Sequence, residues 1–326
     1  MVKRILLKYV QMTDRPLFRV FSCLVRPITN MPRSPLHQIA AFGKLIRYWK
    51  SHPLASRNLG WTIGRFMRWQ IASRLLGAPV VLPWINGTKL VVETGMTGAT
   101  MNIYCGLHEF ADMAFVLHML RPEDRFLDVG ANVGSYTILA AGVVGAEVMC
   151  VEPVPTTHKK LLTNLAVNDL LAKVQAVQCG VGAKDGEFID FIADRDTMNQ
   201  VAPAGYAGKT IQVPIRTLDS LLSEFSAVLW KVDVEGFEEA VLAGAADALA
   251  NPRLLAIEME GDSPNINRIM SAAGFSKYVY DAFSRELKPL SGSQSVSHNW
   301  LWIRNLEEVQ KRCKEAPLFD VLNVKF

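Results

Sequence analysis

The rhythm of apolar and polar positions changes twice along this chain of 326 residues. In residues 14–78, Leu, Ile, Phe and Trp mix with Arg and Lys at intervals that give a helix one apolar and one basic face. Pro and Gly separate three such segments, "PLFRVFSCLVRP", "SPLHQIAAFGKLIRYWKSHP" and "NLGWTIGRFMRWQIASRLLGAP". The stretch after them, "PVVLPWINGTKLVVE", alternates on both sides of Asn86–Gly87 and predicts a two-stranded hairpin. From Arg125 the pattern becomes strand, turn, helix, repeated. Strands are predicted at 125–129, 147–152, 174–179, 227–233 and 253–260, with helices at 134–143, 155–168, 236–249 and 264–273. Apolar strands alternating with helices of this length predict an α/β fold, a mainly parallel sheet with helices on both faces. Residues 185–216 read as an inserted strand pair, "SKYVYDAF" and "HNWLWIRN" as an antiparallel pair at the sheet edge, and 305–315 as a surface helix. The chain divides on this reading into a basic helical extension (1–85), an α/β domain (86–305) and a C-terminal helix and tail (306–326).

Charge sharpens that division. Met1 to Val80 hold 14 Lys and Arg against one acid, Asp14, whereas the remainder holds 21 basic and 30 acidic residues. The asymmetry predicts an N-terminal surface for something anionic and a separate acidic domain. Basic side chains interleaved with Trp49, Trp61, Phe66 and Trp69 admit an anionic membrane surface docked through residues 1–80. They also admit a cap for acidic or lipid-linked saccharides, or a structural layer on the α/β domain. Nucleic acid is not expected, since no known nucleic-acid-binding motif is present. No stretch reaches the roughly 18 uncharged apolar residues that a span requires. Five widely spaced cysteines without a CxxC read as reduced thiols. The expected location is cytoplasmic, peripheral on the inner face of a membrane.

The chemistry centres on "FLDVGANVGSYTILAA". A glycine directly after a strand permits a tight turn and close approach of a ligand to the backbone. The helix next to it offers free N–H groups. Glu152, in "CVEPVP", lies 22 residues past Gly130, the spacing at which an acid closing the next strand holds ribose hydroxyls. A dinucleotide fingerprint needs a second glycine where Asn132 stands, and no phosphate-binding Lys follows the loop. An acidic site lacking basic residues fits a cationic nucleoside, and S-adenosylmethionine is one.

The segments "FLDVGANVGSYTILAA", "VEPVPTTHKKLLTNLAVND", "LWKVDVEGFEEAVLAGA" and "LLAIEME" resemble, in order, the motifs of the FkbM-type S-adenosylmethionine-dependent methyltransferases, over roughly Leu90 to Asn305. The K-x-D-x-E-G segment is the most diagnostic, and "GLHEF" is similar to the family's acidic motif, with His108 in place of a usual Tyr. The resemblance implies a Rossmann-like class I methyltransferase fold with a seven-stranded sheet. It implies that Gly130, Asn132 and Gly134 shape the cofactor loop, that Asp128 orients it and that Glu152 takes the ribose hydroxyls. Glu109 would face the methionine part, and Gly180 would border the adenine. The implied acceptor is a hydroxyl of a saccharide or glycan, free or lipid-linked.

Transfer to a hydroxyl needs a group to take its proton. Lys231, Asp233 and Glu235 alternate in "KVDVEG" and share one face of an extended strand. Asp233 is expected beside the transferred methyl, with Glu235 at acceptor or cofactor and His298 as an alternative base. Glu258 and Glu260 share a face of the next strand, where they could meet acceptor hydroxyls or a divalent metal. Metal is the less favoured alternative, because no histidine lies nearby to complete a ligand set. A nicotinamide-dependent oxidoreductase and a non-catalytic S-adenosylmethionine-binding, membrane-associated scaffold are the competing readings.

Overall fold

A computed structural model describes residues 35–192, 201–202, 206–234, 236–290 and 299–326. Two helices open it, α1 (Pro35–Ser51) and α2 (Leu59–Leu76). The hairpin of β1 (Val80–Pro83) and β2 (Lys89–Val92) comes next, turning at Asn86 and Gly87, whose φ angles of 48° and 83° are those a tight hairpin demands. Helices α3 (Thr97–Cys105) and α4 (Phe110–Met119) lead to β3 (Arg125–Val129). Then come α5 (Ser135–Ile138, continuing as a π-helical turn over Leu139–Val144), β4 (Glu147–Val151), α6 (Pro155–Ala166) and β5 (Val174–Val177).

The insertion forms a small sheet of β6 (Gly180–Val181), β7 (Phe188–Ile192) and β8 (Thr210–Arg216), in the order β6–β8–β7. After α7 (Leu218–Leu221) and β9 (Leu229–Val232), the helix expected over 236–249 is two short pieces, α8 (Glu238–Ala243) and α9 (Ala246–Ala250). The break falls at Gly244, which packs backbone to backbone against Gly182. The chain ends with β10 (Ala256–Met259), α10 (Pro264–Ala272), β11 (Ser276–Asp281), β12 (Glu286–Pro289), β13 (Trp300–Ile303), α11 (Leu306–Glu315) and the small hairpin of β14 (Asp320–Val321) and β15 (Val324–Lys325).

The main sheet has eight strands rather than the expected seven, in the order β12–β11–β13–β10–β9–β3–β4–β5. The additional strand is β12, which among the described residues pairs only with β11 and takes the edge that "SKYVYDAF" was expected to share. Strands β10, β9, β3, β4 and β5 are parallel, so the fold is α/β with a Rossmann-like order of strands. Alternate residues of each strand enter different cores. Phe126, Val148, Leu229 and Ala256 face the core made by α3 to α6. Leu127, Met149, Trp230 and Ile257 face the core made by α7 to α10.

The two basic helices belong to the first of these cores. Trp49 and Phe66 are buried with Tyr104 of α3, their rings 5.3 to 6.1 Å apart. Cys105, Cys150, Cys179 and Cys313 are buried free thiols, and Cys23 lies outside the described residues.

Gly130 fixes how closely β3 and β9 can end. Its φ is 78°, and a β-carbon there would overlap the carbonyl oxygen of Asp233. Replacing Gly130→Ala is therefore expected to lower unfolding stability by about 3 kcal/mol or more. Urea unfolding checks this; a loss no greater than the roughly 1–2 kcal/mol that the left-handed backbone alone costs an alanine would refute the close approach.

Candidate active site

The ends of the parallel strands are sewn together by backbone hydrogen bonds. Gly130 and Ala131 both donate to Val151 O, at 2.9 and 3.0 Å, and Glu152 N donates to Val177 O at 3.1 Å. On the other side Asp233 N donates to Val129 O at 3.0 Å. A cleft opens where these ends meet, as a doubly wound sheet requires. Gly130, Asn132, Glu152, Gly180 and Asp233 line it together. Ile189, Phe191 and Ile215 of the inserted sheet, with Phe237, form an apolar wall.

Glu152 is 5% exposed, and its two carboxylate oxygens accept from Asn132 N and Val154 N, each at 3.0 Å. Asn132 reaches that position in the left-handed region, φ 51°. Burial pushes the Glu152 carboxyl up to about 7, against the two backbone hydrogen bonds. Each oxygen keeps a lone pair beyond its backbone bond, which matches a pair of adjacent hydroxyls. The charged residues lining the cleft, among those described, are Glu152 and Asp233, both acids.

Other expected site residues do not line this cleft. Asp128 is buried and accepts from Thr137 Oγ1 at 2.6 Å, tying β3 to α5; burial raises it to about 6. A β-carbon on Gly134 would crowd Leu161 of α6, so this glycine serves helix packing. Glu109 accepts from the Tyr136 hydroxyl at 2.6 Å. Glu235 and His298 lie outside the described residues, as does the polar run "DRDTMNQ" of the insertion.

Lys231 is 2% exposed and donates to Asp233 Oδ2 at 3.0 Å. Its Nζ sits 3.9 Å from Glu258 Oε1 and 4.6 Å from the centre of the Tyr136 ring. Burial opposes the ammonium, but Asp233, Glu258, Glu109 and Asp128 outweigh it and hold Lys231 above its usual range. Glu258 is 1% exposed, and burial, with Asp112 close by, raises it far above ordinary carboxylates. Register explains the grouping: Asp128, Lys231 and Glu258 stand side by side on β3, β9 and β10. Asp233, with 35% of its side chain exposed, is where this buried network reaches the cleft. Among the described residues no group of three or more His, Cys, Asp or Glu is arranged to hold a metal ion.

Sequence reasoning missed Tyr136 and Phe237. Tyr136 looks like one more apolar helix position, and only its hydroxyl, aimed at Glu109, sets it apart. Phe237 directly follows the diagnostic K-x-D-x-E-G segment, which was a usable signal.

The raised Glu152 carboxyl has a consequence for stability. Between its ordinary value of 4.5 and about 7 the folded chain keeps a proton that the unfolded chain has lost. That contribution is complete below 4.5 and is lost as pH rises through 7. Glu152→Gln removes it, so the variant should gain on the wild type by on the order of 2–3 kcal/mol between pH 5 and pH 8. Chemical unfolding of both proteins at the two pH values measures this; a difference independent of pH would contradict it.

Comparison with known proteins gives a family match. Residues 128–277 match the family described as the methyltransferase FkbM domain. The chain is 24% identical to Methyltransferase sdnD of Sordaria araneosa, over 51% of this chain and 79% of that protein. Among solved structures it is similar to P. horikoshii TYW2 in complex with MeSAdo, at 12% identity over 72% of this chain and 79% of that one, TM-score 0.37. It is also similar to precorrin-6y C5,15-methyltransferase from Geobacter metallireducens GS-15, at 13% identity over 60% and 88%, TM-score 0.34. Structural likenesses this loose say nothing of activity. The matched segment runs from Asp128 at the end of β3 to Lys277 in β11, and this match to the methyltransferase FkbM domain takes in the loop, Glu152 and Asp233.

Proposed function

We propose that this chain transfers a methyl group from S-adenosylmethionine to a hydroxyl oxygen of a saccharide or glycan acceptor. The observation that carries the reading is the cleft lined by Glu152 and Asp233, an acidic site at the ends of β4 and β9. It suits a cationic nucleoside and disfavours a diphosphate, which is why a nicotinamide cofactor is the weaker reading. S-adenosylmethionine, when bound, supplies an electrophilic methyl group. The carboxylate of Glu152 has free lone pairs for ribose hydroxyls, while Asn132 N and Val154 N keep it in place. Gly180 and the apolar wall of Ile189, Phe191 and Ile215 suit a flat adenine ring.

Asp233 takes the proton of the acceptor hydroxyl. Its Oδ2 is held by Lys231, and the residue lines the cleft. The buried ammonium stays charged, so it orients the carboxylate and does not compete for the proton. Glu109, held by Tyr136, faces the amino-acid end of the donor, and Glu258 supports Lys231 from behind. Glu235 and His298 keep the roles expected from their place in the sequence, at the acceptor or cofactor and as an alternative base.

Calorimetry separates the readings. The protein should bind S-adenosylmethionine and S-adenosylhomocysteine but not NAD, and Glu152→Gln should weaken binding at least tenfold, since two hydroxyl contacts to a charged group are worth about 1.5–3 kcal/mol each. Binding of NAD alone would overturn the proposal. With labelled S-adenosylmethionine and a cell-envelope glycan extract, Asp233→Asn should retain cofactor binding and lose label transfer by about a hundredfold or more. Near-normal transfer would remove Asp233 from the mechanism, and no transfer by the wild type would favour a binding scaffold.

A further inference from the structure

From Arg15 to Val92 the chain carries 12 Lys and Arg and no Asp or Glu. Within that stretch α2 presents a stripe at intervals of three and four residues: Trp61, Arg65, Arg68, Ala72 and Leu75. The apolar members of this stripe are not tucked away. Trp61 is 61% exposed, and Leu75 and its neighbour Leu76 are 63% exposed each. Beside the stripe lies a cavity of about 440 Å³, walled by Trp69 and Ile103 of the core and by Leu82 and Leu322. Arg65 and Arg68 both line it.

The two guanidinium groups lack a counter-charge. Among the described residues neither is paired with a carboxylate, and burial pushes Arg65 below its usual value, as does the neighbouring Arg68. A half-buried cation left this way costs free energy that an anion in the cavity would recover.

We propose that this face docks on an anionic phospholipid bilayer, with a lipid phosphate between Arg65 and Arg68 and with Trp61, Leu75 and Leu76 in the interfacial layer. Charge complementarity selects an anion. The exposed indole and leucines select a lipid surface over a dissolved polyanion, because only a bilayer takes the apolar side chains out of water while leaving the arginines at the headgroups. Among the described residues no helix is long and apolar enough to cross a membrane, so the attachment is peripheral. The site is one helix away from the methyltransferase loop. Ile103 of α3 lines the cavity, while its neighbour Asn102 donates to Ser135 Oγ, 3.1 Å away at the start of α5. Docking of this kind depends neither on the acceptor nor on methyl transfer.

Cosedimentation of the full chain with vesicles tests it without an activity readout. The wild type should be retained at low salt by phosphatidylcholine vesicles containing one third phosphatidylglycerol, and not by phosphatidylcholine alone. Arg65→Gln with Arg68→Gln should partition about thirtyfold more weakly, roughly fivefold for each basic side chain lost at the surface. Arg68→Gln alone, at an exposed position, should give the fivefold loss without touching the fold, and unchanged circular dichroism checks this. Trp61→Ala should also weaken retention. The proposal is overturned if the wild type is not retained by the anionic vesicles, or if the double variant is retained as well as the wild type. It is overturned too if sedimentation velocity shows a dimer that these substitutions dissolve while vesicle retention is unaffected, which would make the face a self-association surface.

Discussion

A carboxylate taken out of water needs hydrogen bonds from every direction it can get, and Glu152 receives two from backbone N–H groups. One donor, Asn132, belongs to the loop after β3; the other, Val154, opens the way to α6. The side chain at the end of β4 therefore sets the shape of the loop beside it. Gly130 closes the loop from the opposite side, resting against the Asp233 carbonyl at the end of β9. Three strand ends are thereby held in one cluster, and the cleft is what remains between them. The position of each wall is set by these few contacts, before any ligand is considered.

Beneath the cleft lies a second constraint, one ammonium among several carboxylates. Lys231 stands between Asp128 and Glu258 across the sheet and donates to Asp233 above. Burying so many acids around one base is costly, and burial raises both Asp128 and Glu258 above their ordinary values. Asp233, partly exposed and anchored through one oxygen, is the member of the network that lines the cleft. A network like this fixes the orientation of a carboxylate at a strand end.

Much of the architecture was legible from periodicity. The hairpin at Asn86–Gly87, the parallel strands and α6 follow directly from local pattern and turn chemistry. The eighth strand was not, because β12 reads "ELKP", short, polar and ending in proline, with nothing to mark it until β11 offers an edge. The interruption of the helix at Gly244 was hidden for a similar reason: it depends on Gly182, distant in sequence. At the site, Glu152 and Asp233 could be placed from their strand-terminal positions. The reason for Gly130 could not. A ligand approaching the backbone and a neighbouring strand approaching it demand the same residue, and only the structure shows the Asp233 carbonyl there. Nor could the burial of Glu258 be foreseen, since alternation fixes which face a side chain takes but not what covers that face.

The most direct measurement is amide hydrogen exchange with and without S-adenosylhomocysteine. If Glu152 grips the sugar while Asn132 N and Val154 N hold its carboxylate, exchange should slow together at residues 130–137 and 152–154 and in the wall around 179–181. Protection confined to other parts of the chain, or none at saturating ligand, would contradict the assignment of this cleft.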